Sequence, residues 1–187
     1  MRKKDDEKQK NIKRAVVQLI LQEGFHGASV SKIASAAGVS PATVYIYYEN
    51  KEEMLRDIYL EHAEEGFQFL LQRLTPELTG EQLIEVLIRE YYNYILANKD
   101  IYHFVEQFST CPSLQVGCNA LAGPALLNTI LTEYKNQGIL NNYHNDNLWS
   151  IMFYPVKSIA GRTCCSEEDE NERLNEMIQI IQKALLK

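Results

Sequence analysis

An all-α fold of about nine helices is what this chain of 187 residues predicts. Two observations carry the expectation. Apolar residues recur at steps of three and four along nearly the whole length, and no stretch alternates strictly for long enough to make a half-buried strand. With 45% hydrophobic and 24% charged residues, the chain can bury a sizeable core as one or at most two domains.

The elements follow in order. A first helix carries Ile12, Ala15, Val16, Leu19 and Ile20 on one face, with Lys10, Lys13 and Arg14 off it, and stops near Gly24. A short loop, GFHGA, follows, with Phe25 as its apolar plug. A second helix starts at Ser29, whose side chain suits an N-cap, and runs through Val30, Ile33, Ala34 and Ala37 to Gly38. Gly38 can take the left-handed conformation that ends a helix, and Val39 can fill the corner. Ser40 and Pro41 then supply N-cap and N1 residues for a third helix, PATVYIYY. Asn50, with Glu53 three residues on, resembles a capping box for a long fourth helix through Met54, Leu55, Ile58 and Tyr59 to about Leu74.

Pro76 and Gly80 punctuate the chain before a fifth helix, about Glu81 to Ala97. Its apolar residues cover two sides, Leu83, Leu87, Tyr91, Tyr94 and Ile95 on one and Ile84, Ile88 and Tyr92 on the other, so it must be central. A sixth helix covers roughly Asp100 to Ser109. A seventh covers about Asn119 to Gln137, its early turn disturbed by Gly123 and Pro124. An eighth runs from about Asn145 to Ala160 with Leu148, Met152, Pro155, Val156 and Ile159. The ninth, about Glu167 to Leu186, has Leu174, Met177, Ile178, Ile181 and Leu185 in one stripe, an acidic first turn behind Ser166, and Lys183 and Lys187 at its end.

Charge is divided unevenly along this series. Residues 1–51 hold nine Lys/Arg and five Asp/Glu, net +4, whereas residues 52–187 are net -10, so the total of -6 hides a basic segment suited to a polyanion. That segment is also where two short helices meet at a glycine turn behind an amphipathic helix. The arrangement is that of a helix-turn-helix, whose second short helix enters a DNA major groove, although a generic small helical bundle has the same outline.

The stretch GFHGASVSKIASAAGVSPATVYIYYENKEEML, Gly24 to Leu55, closely resembles the DNA-binding segment of tetracycline-repressor-like (TetR-type) transcriptional regulators. The matching features are Gly24-Phe25, the Ser29 cap, Ile33-Ala34, Ala37-Gly38-Val39-Ser40, Thr43-Val44-Tyr45, Tyr47-Tyr48 and Asn50-Lys51-Glu52 leading into Leu55. They run in register for about thirty residues; beyond about Tyr59 the resemblance has no residue-level detail. It implies a three-helix DNA-binding domain, residues 1–50, and a larger helical effector-binding and dimerisation domain, residues 51–187.

By helical pattern Val44 and Tyr48 face the core, leaving Pro41, Ala42, Thr43, Tyr45, Ile46 and Tyr47 to the groove or its walls. Pro41 and Ala42 offer only apolar contact, for instance to a thymine methyl, and Thr43 can hydrogen-bond. The helix has no Arg, Asn or Gln, which limits bidentate reading of guanine or adenine and gives weight to DNA shape. The resemblance places phosphate contacts on Ser29, Ser31, Tyr45, Tyr47 and Lys51, with Lys32 and the early Lys/Arg residues as a nonspecific supplement. Lys51 also sits beside a helix N-terminus that itself favours phosphate.

The resemblance further implies a dimer built by the last two helices. Leu148, Met152, Val156 and Ile159 of the eighth and Leu174, Met177, Ile178, Ile181 and Leu185 of the ninth are the expected interface, with closure of the chain's own core as the alternative use of those stripes. Candidate ligand-pocket residues are Phe67, Leu71, Tyr91, His103, Phe104, Gln107, Phe108, Leu126, Trp149, Met152 and Phe153, an apolar and aromatic set in which His103 and Gln107 are the best polar pair. The expected ligand is a small hydrophobic or aromatic effector, with a lipophilic cation possible given the acidic surroundings.

Other function classes find less support in the residues. His26, His62, His103 and His144 form no HxxxH or HExxH pattern, and neither a nucleophile elbow nor a phosphate-binding glycine loop appears, so no catalytic residue, cofactor or metal is expected. Cys111, Cys118, Cys164 and Cys165 lack zinc spacing and read as reduced thiols, with the adjacent Cys164 and Cys165 open to a redox or thiophilic-metal role. No apolar run suits a membrane span or a signal peptide, which suggests a cytoplasmic protein. The leading expectation is a homodimeric repressor released from operator DNA by its effector. The alternatives are a small-molecule-binding protein or enzyme with an incidental helix-turn-helix, and a ligand-independent DNA-binding protein.

Overall fold

Caps and glycines set the helix ends in the computed structural model, which describes residues 2–108, 121–161 and 166–187, the side chains of residues 2–5 and Glu167 excepted. The described residues form nine helices: α1 (Arg2–Gly27), α2 (Val30–Ala36), α3 (Pro41–Tyr47), α4 (Lys51–Leu71), α5 (Gly80–Ala97), α6 (Lys99–Phe108), α7 (Ala122–Asn136), α8 (Asn145–Ala160) and α9 (Glu167–Leu185). The fold is all-α. Its one extended pairing among these residues is a bridge between Leu140 and Leu186, which ties the end of α9 to the loop after α7. All four cysteines, and the expected start of the seventh helix at Asn119, lie outside the described residues.

The packing forms two units, which divide the chain along a different line from the expected boundary at residues 50 and 51. The first comprises residues up to Ala63 together with α6. Its core is built on Ile12, Val16 and Ile20 of α1, Ile33 and Ala34 of α2, and Val44 of α3. Met54, Leu55 and Ile58 of α4 and Phe104 and Phe108 of α6 complete it. α1 with the two short helices α2 and α3 cannot alone bury enough apolar surface, and these side chains supply the missing part. α1 begins at Arg2, so the basic start of the chain is helical, and Gly24 (φ 71, ψ 178) interrupts it where the sequence placed its end.

The second unit comprises Glu64–Asn98 with α7, α8 and α9. α5 is central to it, burying Leu83, Ile84, Leu87, Ile88, Tyr92, Tyr94 and Ile95 against neighbours that include α8 and α9. A capping box opens α5: the Thr79 side chain accepts from the Gln82 amide, and the Thr79 amide donates to the Gln82 side chain. Polar links reinforce the seam between α5 and α9, where the Tyr92 hydroxyl donates to Glu170 (2.7 Å) and Arg89 donates to Asn175 Oδ1 (2.6 Å).

Candidate nucleic-acid interface

The helix-turn-helix is made by local chemistry. Ser29 Oγ accepts from the Lys32 amide and starts α2. Gly38, at φ 68, turns the chain left-handed, and the Gly38 and Val39 amides return to the Ser35 and Ala34 carbonyls. Ser40 Oγ accepts from the Thr43 amide and lies 2.9 Å from Thr43 Oγ1, while Pro41 occupies the first turn of α3. Asn50 Oδ1 caps α4 at the Glu53 amide. The Glu53 carboxylate returns to the Glu49 amide, one residue before the reciprocal partner a capping box uses.

α3 presents its faces as the helical pattern requires. Val44 is buried, and so is Tyr48 just after the helix, whereas Pro41, Ala42, Tyr45 and Ile46 are exposed. Thr43 and Tyr47 are half-buried, Tyr47 against the apolar core of its unit. Ser29 and Ser31 are exposed at the start of α2. The surface therefore groups Ser29, Ser31, Pro41, Ala42, Thr43, Tyr45 and Tyr47 on or beside the two short helices.

Several cations of this segment are engaged within the chain. Lys32 pairs with Glu23, Lys13 with Glu61, and the half-buried Lys51 donates to the Phe25 carbonyl while its ammonium lies 4.3 Å from the centre of the Phe25 ring. Lys51 thus fastens α4 to the last turn of α1, beyond the break at Gly24, a structural use that the sequence did not signal. Tyr48 ionises above the usual tyrosine range because burial disfavours its charged form, with Gln9 opposing and Glu61 and Asp57 adding to the effect.

The expected ligand-pocket residues fall into two groups. In the second unit, Phe67 of α4 lies 5.2 Å from Trp149, Trp149 lies 6.0 Å from Phe153, and Tyr91 lies 5.0 Å from Phe153, between ring centres. Met152 is buried in the same unit, Leu71 is half-buried and Leu126 is exposed. The other four sit on α6 in the first unit. There Phe104 and Phe108 fill the core, Phe108 edge-on to Phe25 and Phe104 edge-on to His62, while His103 and Gln107 are exposed.

Two polar residues near the aromatic group were not anticipated. Asn128 Oδ1 accepts from the Trp149 indole and from Asn145, both at 3.1 Å. The Glu64 carboxylate accepts from the Gly123 amide (3.0 Å) at the start of α7 and from Gln68. The spacing of Glu64 one turn before Gln68 was the available signal for the second; nothing local marked Asn128.

The expected dimer residues need correction. Leu148, Met152, Val156, Ile159, Leu174, Ile178, Ile181 and Leu185 are all buried within the single chain, and Met177 is half-buried. Those stripes lie on helices that pack on one another and on α5, so they are core. The exposed apolar residues of α8 and α9 are others: Ile151, Tyr154 and Ile180.

No helix among the described residues is long and apolar enough to cross a membrane, and no three of their His, Cys, Asp or Glu side chains group as a metal site. Comparison with known proteins bears on residues 12–58, which match the family "Bacterial regulatory proteins, tetR family". The chain is 26% identical over 87 residues to the Bacillus subtilis "Fatty acid metabolism regulator protein", covering 46% of this chain and 45% of that one. It is 39% identical over 62 residues to the uncharacterized HTH-type transcriptional regulator YdeS of the same species, covering 33% and 31%. Each match thus spans less than half of the relative's length. A TetR family transcription regulator from Marinobacter aquaeolei VT8 has the same fold, with a TM-score of 0.83 and 24% identity over the whole of both chains. Through its capped helix-turn-helix and the match that covers it, the segment of residues 12–58 is that of the tetR family of bacterial regulatory proteins.

Proposed function

We propose that the protein is a homodimeric transcriptional repressor that leaves its operator when a small apolar or aromatic effector binds. The observation that carries the reading is the outward face of α3, with Pro41, Ala42, Tyr45 and Ile46 exposed beside the capped start of α2. Thr43 and Tyr47 border that face, and Ser29 and Ser31 stand where phosphates flank a groove. Lys51 contributes by holding the last turn of α1 in place and by putting a cation at the start of α4.

A homodimer suits this reading because two recognition helices about 34 Å apart read successive major grooves. The exposed apolar residues Ile151 and Tyr154 on α8 and Ile180 on α9 support an interface on the outer sides of these helices. The aromatic group Phe67, Tyr91, Trp149 and Phe153, with Met152 and Leu71, supports an apolar effector in the second unit. Phe67 lies on α4, the helix that follows the DNA-binding segment, so an effector packed on it acts on α4 directly. One relative is named for fatty acid metabolism, which makes acyl compounds the first effectors to try.

The test is a gel shift on the DNA flanking the protein's own gene, with and without Tyr47→Ala and Lys51→Ala. Both variants should weaken binding several-fold, and Lys51→Ala should reduce the slope of log affinity against log salt by about one. Binding unchanged in both sinks the phosphate assignments. For the effector, a compound whose affinity is the same with and without operator is not the inducer, because the coupling is reciprocal.

A further inference from the structure

We infer that the protein reads its DNA site chiefly through the 5-methyl groups of thymine, with Ile46 as the principal reader beside Ala42 and Pro41. The inference rests on the DNA-binding reading above and specifies its chemistry. Ile46 is 78% exposed, the most exposed of the large apolar side chains recorded at the surface, and it stands one turn beyond Ala42 with the exposed Tyr45 beside it. The outward face of α3 is therefore a continuous apolar strip on a segment whose net charge of +4 suits a polyanion.

Hydrogen-bonding readers are scarce on the same helix. Pro41–Tyr47 contains no Arg, Lys, Asn or Gln, the side chains that pair bidentately with guanine or adenine. Thr43 Oγ1 lies 2.9 Å from Ser40 Oγ, which also caps the Thr43 amide, so part of this hydroxyl's hydrogen-bonding capacity goes to keeping α3 in shape. On the neighbouring helix, Lys32 is paired with Glu23. With the Tyr45 and Tyr47 hydroxyls assigned to phosphate, what α3 offers to base edges is chiefly hydrocarbon, and the hydrocarbon of the major groove is the thymine methyl.

The experiment starts with selection of binding sites from a random duplex pool by the full chain. The selected duplex is then remade with deoxyuridine for thymidine at single positions, which removes one methyl and leaves the hydrogen-bonding edge intact. Binding should weaken about fourfold at two or more positions in each half-site, the worth of one buried methyl. Ile46→Ala should abolish the thymine-uracil difference at one of them while preserving it at the others, and Ile46→Val should leave part of it. Placing 7-deazapurines in the half-site should change affinity less than twofold. A selected site that tolerates uracil throughout, or that is weakened more by 7-deazapurines than by uracil, overturns the inference and leaves DNA binding standing. A pool that yields no enriched sequence overturns the DNA-binding reading itself.

Discussion

Tyr48 shows what one side chain contributes to the reader. Its ring fills the corner after α3, yet its buried hydroxyl makes no well-formed hydrogen bond among the described residues, and Gln9 is near enough only to temper its acidity. A buried polar group without a partner costs roughly 1–3 kcal/mol, so Tyr48→Phe should raise unfolding stability by about 1 kcal/mol in urea melts. A loss of stability would mean that the hydroxyl is satisfied after all. Tyr94 gives a pH dependence. Burial, with Glu65 nearby, pushes its ionisation up to about 12, so between pH 10 and 12 the unfolded chain releases this proton while the folded one keeps it. Stability should fall as pH rises through that window, and Tyr94→Phe should flatten the fall. At this scale the sequence was most legible in the caps, since Ser29, Ser40 and Asn50 act on amides three residues away. Lys51 was not legible in the same way, because its carbonyl partner, Phe25, is 26 residues distant.

Among the elements, helix existence was readable throughout and helix partnership was not. A stripe such as Leu174, Ile178, Ile181 and Leu185 states that something covers one face of α9. It does not state whether the cover is the same chain or a second copy, and here it is α5 and α8. The pocket set divided for the same reason: Phe104 and Phe108 carry an apolar face that suits a ligand or a core equally, and α6 spends it on the core of the first unit. Gly123 was read as a disturbance of the seventh helix, and its use is closer to packing. A Cβ there would collide with the Phe67 side chain, and its amide is held by Glu64. Gly123→Ala should therefore destabilise by about 1–3 kcal/mol in denaturant, the usual cost of overpacking, with Phe67 forced from its place against Trp149. If the glycine mattered only as a weak helix former, alanine would stabilise instead.

At the level of the whole molecule, the charge division and the two faces of the last helices make one argument. On the proposed function the basic segment reads DNA and the acidic remainder repels it, so nonspecific grip is modest and two copies hold more firmly than one. The surface available for pairing must be one the chain has not already used. Ile178 and Ile180 of α9 decide between the possibilities, since the first is buried and the second is 51% exposed. Ile178→Asp puts an unpaired charge into the core and should unfold the second unit. Ile180→Asp, and Tyr154→Asp on α8, should leave the helical circular dichroism and its melting in dilute solution intact while converting a dimer to a monomer in sedimentation velocity. Operator affinity should then drop steeply and become dependent on protein concentration, because a monomer places one recognition helix where the site offers two grooves. A dimer that survives both substitutions places the interface elsewhere, and a wild-type monomer at micromolar concentration removes the homodimer from the mechanism.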